Sequence, residues 1–136
     1  MPTGLNHITI AVRDIEKSLE FYAGTLGFVP VAKWDKGAYL EMGDLWLALI
    51  KDDERSLTSS QDYSHFALSC SEAEFESSVE RLNQYGCTEW SENKSEGASF
   101  YFLDPDGHKL ELHVGDLQTR LKAMRENHRG NVQFFR

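Results

Sequence analysis

LNHITIAV at residues 5–12 returns in altered form as YSHFALSC at 63–70, and this echo decides how the whole chain is read. His7 and His65 hold equivalent places in the two copies. Side chains on a strand alternate between faces, so His7, Thr9 and Ala11 share one face while Ile8, Ile10 and Val12 share the other. In the second copy Tyr63, His65 and Ala67 point together, opposite Phe66 and Leu68. Each copy predicts a strand with a histidine at its centre and an apolar face turned to a helix.

Outward from these strands the two copies keep the same order. Asp14 is placed to cap a helix in which Ile15, Leu19, Tyr22 and Leu26 recur at helical spacing until Gly27. Ser71 with Glu74 has the spacing of a capping box, ahead of Phe75, Val79, Leu82 and the stop at Gly86. Short alternating runs follow: VAKW, AYLEM and LWLALI in the first copy, TEW, SFYFL and KLELHV in the second. Each copy therefore reads β-α-β-β-β, and the fold class expected is α+β, two paired modules of that order. Self-similarity at this length predicts like modules packed around a shared surface, with a curled sheet from each enclosing a cleft.

The chain reads as one domain: module 1 over about 4–51, a polar linker at 52–62, module 2 over about 63–115, and a C-terminal helix and tail at 116–136. In that last segment Leu117, Leu121 and Met124 have helical spacing, and Phe134 and Phe135 suggest docking onto the body or a partner. With 136 residues and 40% apolar content a modest core can be buried. The net charge of -8 offers no basic footprint for nucleic acid or an anionic membrane. No window is long and apolar enough for a membrane span, and the N-terminus lacks the basic n-region of a signal peptide. A cytoplasmic protein with Cys70 and Cys87 as reduced thiols is expected. Binding a small anion would require a local cluster of metal, Lys and Arg strong enough to overcome the general acidic field.

On the last strand Lys109, Glu111 and His113 share a face opposite Leu110, Leu112 and Val114. Two imidazoles and a carboxylate, His7, His65 and Glu111, form the set that binds a divalent first-row metal and leaves positions open for chemistry. The counterpart of Glu111 in the first copy is Ala48, so a fourth protein ligand is absent. His113 is a reserve ligand or a supporting residue, and His108, in the DPDGH turn, is expected to be structural. Read alone, the loop from Asn93 to Ser99 is an ordinary polar hairpin connection. Arg120 reads as a solvated helix residue, and Trp34, Tyr39 and Trp46 as sheet packing.

These residues resemble the vicinal oxygen chelate (glyoxalase/bleomycin resistance/dioxygenase) superfamily and, more closely, its fosfomycin resistance glutathione transferases. The segments that carry the resemblance are GLNHITIAV at 4–12, FYAGTLGF at 21–28, WDKGAYLEMGDLWLAL at 34–49, DYSHFAL at 62–68, NKSEGASFYFLDPDGHKLELHVGDL at 93–117, and Arg120. The resemblance implies a homodimer with metal sites shared between subunits, the first histidine from one and the other two ligands from its partner. It implies Mn²⁺ at His7, His65 and Glu111, polarising the epoxide of fosfomycin while glutathione thiolate opens the ring. It also implies an assisting K⁺ held by Asn93, Ser95, Gly97 and Ser99. Thr9 would contact substrate or help the thiol lose its proton. Tyr101, Ser95 and Arg120 would hold the phosphonate, with Tyr63 and Trp46 lining the pocket. Trp34, Lys36, Tyr39 and Lys94 fall on the thiol side.

The chain departs from that pattern at three places. Ser91 stands where the family has a phosphonate-binding Lys, Lys36 where it has Gln, and Ile50 where it often has a polar residue. Three alternatives follow from the same residues. An extradiol dioxygenase uses this triad with Fe²⁺. An epoxide hydrolase would replace the thiol by water. A drug-binding protein would sequester its ligand and need no triad.

Overall fold

A computed structural model describes residues 1–56, 59–127 and 131–136; His128 and part of the expected linker lie outside the described residues. The first module contains strand β1 (Ile8–Val12), helix α1 (Ile15–Leu19) continuing as a π-helical segment (Glu20–Thr25), and strands β2 (Val29–Trp34), β3 (Gly37–Met42) and β4 (Leu45–Lys51). The second contains β5 (Phe66–Ser69), α2 (Glu72–Tyr85), β6 (Glu89–Ser91), β7 (Ser99–Leu103) and β8 (Lys109–His113), and is followed by α3 (Leu117–Asn127). The expected β-α-β-β-β order is therefore present twice. Each module is a four-stranded sheet, in the orders β1-β4-β3-β2 and β5-β8-β7-β6.

The first strand of each module lies parallel to its last, and the other pairings are antiparallel. Thr9 pairs with Ala48 and Ala48 with Tyr39; Ala67 pairs with Glu111 and Glu111 with Tyr101. The two sheets can thus be laid over one another residue by residue. Glu111 is the register equivalent of Ala48, as the sequence predicts, Tyr101 of Tyr39, and His113 of Ile50.

Local signals in the sequence account for both helix starts. The Asp14 carboxylate accepts from the Lys17 N–H at 3.1 Å, and the Ser71 hydroxyl from the Glu74 N–H at 3.2 Å. The first helix departs from the regular periodicity expected of it. It widens after Leu19, where the Leu26 N–H bonds the Phe21 carbonyl five residues back, and the wholly buried neighbours Phe21 and Tyr22 both reach the interior. The two histidines also differ from expectation, since each stands one residue before its strand rather than at its centre. The His65 Nδ1 turns back onto the Tyr63 carbonyl at 2.8 Å, and His7 packs on Trp46, which lies one residue outside the β1–β4 ladder.

One apolar core unites the modules. Ile10, Val12, Leu40, Leu47 and Leu49 of the first share it with Leu68, Phe102, Leu110 and Leu112 of the second, and Phe21 meets Tyr85 with ring centroids 4.9 Å apart. The sheets of one chain therefore turn their apolar faces inward and their histidine faces away from the common core. Enclosure of a cleft by the two sheets of one chain is accordingly not seen. Both cysteines are free, as expected, and burial followed by the Asp104 carboxylate pushes the Cys87 thiol up to about 11. Helix α3 buries none of its residues fully: Leu121 and Met124 of its apolar stripe are half-buried and Leu117 is exposed, while Phe134 of the tail lies over the Arg125 guanidinium of α3 at 4.6 Å.

The Asp104–His108 turn latches the modules together. Asp104 Oδ2 accepts from the Tyr22 hydroxyl at 2.6 Å, Asp106 Oδ1 from the Arg13 N–H at 3.0 Å, and His108 Nε2 lies 2.7 Å from the Ala11 carbonyl. His108 is structural, as its place in the turn predicts. Burial, then the adjacent Asp104 carboxylate, holds the Tyr22 phenol well above its ordinary value. Removing the hydroxyl with Tyr22→Phe strands a buried carboxylate oxygen and should cost about 1–3 kcal/mol, read from the shift in urea midpoint.

Burial also raises the Asp104 carboxyl above the usual carboxylate range, against the opposing pull of His108 and of the hydrogen bonds it accepts. The folded chain keeps that proton at pH values where the unfolded chain has released it. Stability should therefore fall as pH rises from the unfolded value of Asp104 through its folded one. Urea denaturation across the acidic range should show Asp104→Asn flattening this part of the curve.

A candidate metal and anion site on the second module

The parallel register of β5 and β8 sets His65, one residue before its strand, beside Glu111. His65 Nε2 lies 3.0 Å from Glu111 Oε1. Because the Tyr63 carbonyl accepts from Nδ1–H, the neutral ring presents a lone pair at Nε2, and the carboxylate presents another. Two acceptors at this distance repel unless a proton or a cation lies between them. Two ligands each about 2.1 Å from one ion and at a right angle would be about 3.0 Å apart. The pair thus fits a divalent first-row ion in donor chemistry and in spacing.

Glu111 is 6% exposed, and its second oxygen is also engaged. Oε2 lies 2.7 Å from Ser99 Oγ, which in turn lies 2.7 Å from His113 Nδ1. Trp90 closes one side of the site. Its ring centroid stands 5.3 Å from His65, 5.2 Å from Tyr101 and 5.6 Å from Tyr63, and its Nε1–H donates to the Leu110 carbonyl at 3.0 Å. Desolvation among these groups, then Tyr101 and Glu111, pushes the Tyr63 phenol up, while Arg120 opposes the shift.

Arg120, in the first turns of α3, reaches back over the loop between β6 and β7. Its Nε donates to Glu96 Oε1 at 3.0 Å and its terminal nitrogen to Ser95 Oγ at 3.2 Å. Those contacts fix the planar fork and leave donors for an anion. Lys109 adds a second cation, its ammonium 5.1 Å from the Trp90 ring centroid and bonded to the Asp62 carbonyl. Ser91 lies in the Ala67–Glu111–Tyr101 row and brings no charge. These side chains supply the local cations that an acidic chain needs for an anionic ligand.

The loop closes on itself. Asn93 donates to the Gly97 carbonyl at 2.7 Å, and Asn93 Oδ1 accepts from the Ser95 N–H and hydroxyl, each at 3.0 Å. Its hard oxygens are of the kind that suits a K⁺ ion. Ser99, at the end of the loop, also places its Oγ between Glu111 and His113, and Lys94 is exposed in the loop.

The remaining expected residues lie on the first module. His7 is exposed, its Nδ1 2.7 Å from Asn6 Oδ1 and its ring 4.3 Å from Trp46. Trp46 meets Tyr39 at 5.2 Å and Tyr39 meets Trp34 at 4.8 Å, so the aromatics form one continuous face with Thr9 exposed beside them in the Ala48–Tyr39 row. Lys36 is exposed in the β2–β3 turn. Among the described residues no three His, Cys, Asp or Glu side chains gather as a metal site, so His65 and Glu111 meet within the chain and His7 does not join them.

Sequence reading passed over Trp90, Glu96 and Lys109 and left His113 in reserve. The face shared by Lys109, Glu111 and His113 could have drawn attention to Lys109. The partners of Trp90 and Glu96 depend on how a loop and a strand edge fold back, which no spacing reveals.

The Glyoxalase/Bleomycin resistance protein/Dioxygenase superfamily matches residues 4–112. Among characterised proteins, the chain is 54% identical to the glutathione transferase FosA of Serratia marcescens, over 93% of this chain and 91% of that one. It is 39% identical to the metallothiol transferase FosB of Staphylococcus saprophyticus, over 93% and 86% of the two chains. A mutant of the fosfomycin resistance protein FosX of Listeria monocytogenes, solved with Mn(II) and 1S,2S-dihydroxypropylphosphonic acid, superposes with a TM-score of 0.76 at 29% identity, covering 90% of this chain and 99% of that one.

Proposed function

Since the chain belongs to the Glyoxalase/Bleomycin resistance protein/Dioxygenase superfamily and, within it, to the fosfomycin resistance enzymes, we propose that it is a cytoplasmic Mn²⁺-dependent transferase that opens the epoxide of fosfomycin with glutathione. The observation that carries this reading is the pairing of His65 Nε2 and Glu111 Oε1 at 3.0 Å on the same module as the Arg120 fork. We propose that the protein is a homodimer in which His7 of one protomer completes the ligand set of His65 and Glu111 in the other. Two features support this: His7 is exposed, and the described residues of one chain offer no third ligand beside the pair.

A divalent ion there would supply Lewis-acid polarisation of the epoxide oxygen. The chain's own residues would bind and orient. Arg120, Ser95 and Tyr101 would hold the phosphonate, with Tyr63 and Trp46 lining its pocket and Lys109 adding positive charge. Trp34, Lys36, Tyr39 and Lys94 would receive the thiol, and Thr9 would accept its hydrogen bond as the proton leaves. The sulfur–carbon bond forms as the ring carbon–oxygen bond breaks, and the oxygen takes up a proton to become a hydroxyl. Asn93, Ser95, Gly97 and Ser99 would hold a K⁺ ion that adds charge near the phosphonate.

A second reading, attack by water, is favoured by the likeness to the FosX complex, whose ligand is the diol that water addition to the epoxide would give. Purified protein with Mn²⁺, K⁺ and fosfomycin should form mainly a glutathione adduct when glutathione, cysteine and water compete. A diol formed without thiol would favour the second reading, and no consumption of fosfomycin would overturn both. His65→Ala and Glu111→Gln should each lower turnover by more than roughly 100-fold, beyond the effect of losing an outer partner of a ligand.

A further inference from the structure

We propose that His113 is a positioning residue which, through Ser99, holds the Glu111 carboxylate in the orientation required by a divalent ion at His65 and Glu111. This rests on the metal reading given above. Ser99 Oγ lies 2.7 Å from both Glu111 Oε2 and His113 Nδ1. An ionised carboxylate only accepts, so the single hydroxyl hydrogen goes to Glu111 and the His113 Nδ1–H donates to the Ser99 oxygen. The chain of donors ends on the carboxylate oxygen opposite the one that faces His65. Rotation of the carboxylate about its last torsion would break it.

Two further observations bear on the same ring. The repeat supplies the first: where module 2 has Glu111, His113 and Ser99, the equivalent positions in module 1 are Ala48, Ile50 and Gly37. The serine and histidine are present where the carboxylate is and absent where it is not. The second is steric. Gly97 and Gly115 sit at φ +76° and +129°, and a Cβ on Gly97 would stand 3.2 Å from His113 Cε1, while one on Gly115 would stand 3.1 Å from Nε2. The nearest obstacles to a Cβ are the Val114 carbonyl at Gly97 and the Thr119 hydroxyl at Gly115, and the two left-handed glycines let the backbone pass close to the imidazole as well.

The test is Mn²⁺ affinity of the full chain, read from the EPR signal of free Mn²⁺ without substrate, with thermal melts reporting folding. His113→Ala and Ser99→Ala should each weaken Mn²⁺ binding by roughly 10- to 100-fold. Ser99→Thr, which keeps the hydroxyl, and His113→Asn, which keeps an N–H near the Nδ1 position, should stay within about threefold of the parent. If His113→Ala does not fold, Ser99→Ala decides. Alanine variants binding Mn²⁺ as the parent does would overturn the proposal while leaving the metal reading intact, and so would a Ser99→Ala change confined to the K⁺ response. A parent chain that binds no Mn²⁺ would remove the metal reading and this proposal with it.

Discussion

In each module the opening strand is pinned parallel to the closing one, and that register is what the rest of the molecule is built on. It fixes which residues share a row: Thr9, Ala48 and Tyr39 in one sheet, Ala67, Glu111 and Tyr101 in the other. A slip of one residue would turn Glu111 into the common core and bring Leu110 or Leu112 to the histidine face. The apolar partners of the ladder, wholly buried at Leu47, Leu49 and Leu110, oppose such a slip. Packing of the core therefore keeps the Glu111 carboxylate against the His65 imidazole.

Much of this was legible in the residues because strand alternation and helix capping are local. Asp14 and Ser71 cap where spacing places them, and the equivalence of Ala48 and Glu111 follows from aligning the two copies. Other features were not legible. The π-helical segment from Glu20 to Thr25 answers to two adjacent buried aromatics, a demand of tertiary packing that overrides regular periodicity. Placement of the histidines outside their strands depends on where each ladder begins. The contact of Glu96 arises from a loop meeting the terminal helix, and those of Trp90 and His113 from strands of one sheet, so their partners lie on other elements.

Electrostatics explains how a chain of net charge -8 can offer a place to an anion. Much of its acidity lies on exposed faces, where water and salt screen it, while Asp104 is buried and holds its proton above the usual carboxylate range. Arg120 and Lys109 stand at the site itself, Arg120 against the loop at Ser95 and Glu96 and Lys109 over the Trp90 ring. Glu96 offsets part of this charge but also aims it, since it fixes one side of the guanidinium and leaves donors elsewhere on the fork.

The unequal furnishing of two nearly superposable sheets bears on how such a protein can change over generations. The paired His65 and Glu111 lie on the second sheet, whereas the first presents a run of aromatic rings from Trp34 through Tyr39 to Trp46, with Glu41 beside the last. A mutation that reshapes the first surface need not disturb His65, Glu111 or the hydrogen bonds behind them. On the proposed reading the first sheet still supplies His7 and Thr9, so its latitude for new small-molecule preferences lies in the aromatic positions around them and not in the copy as a whole.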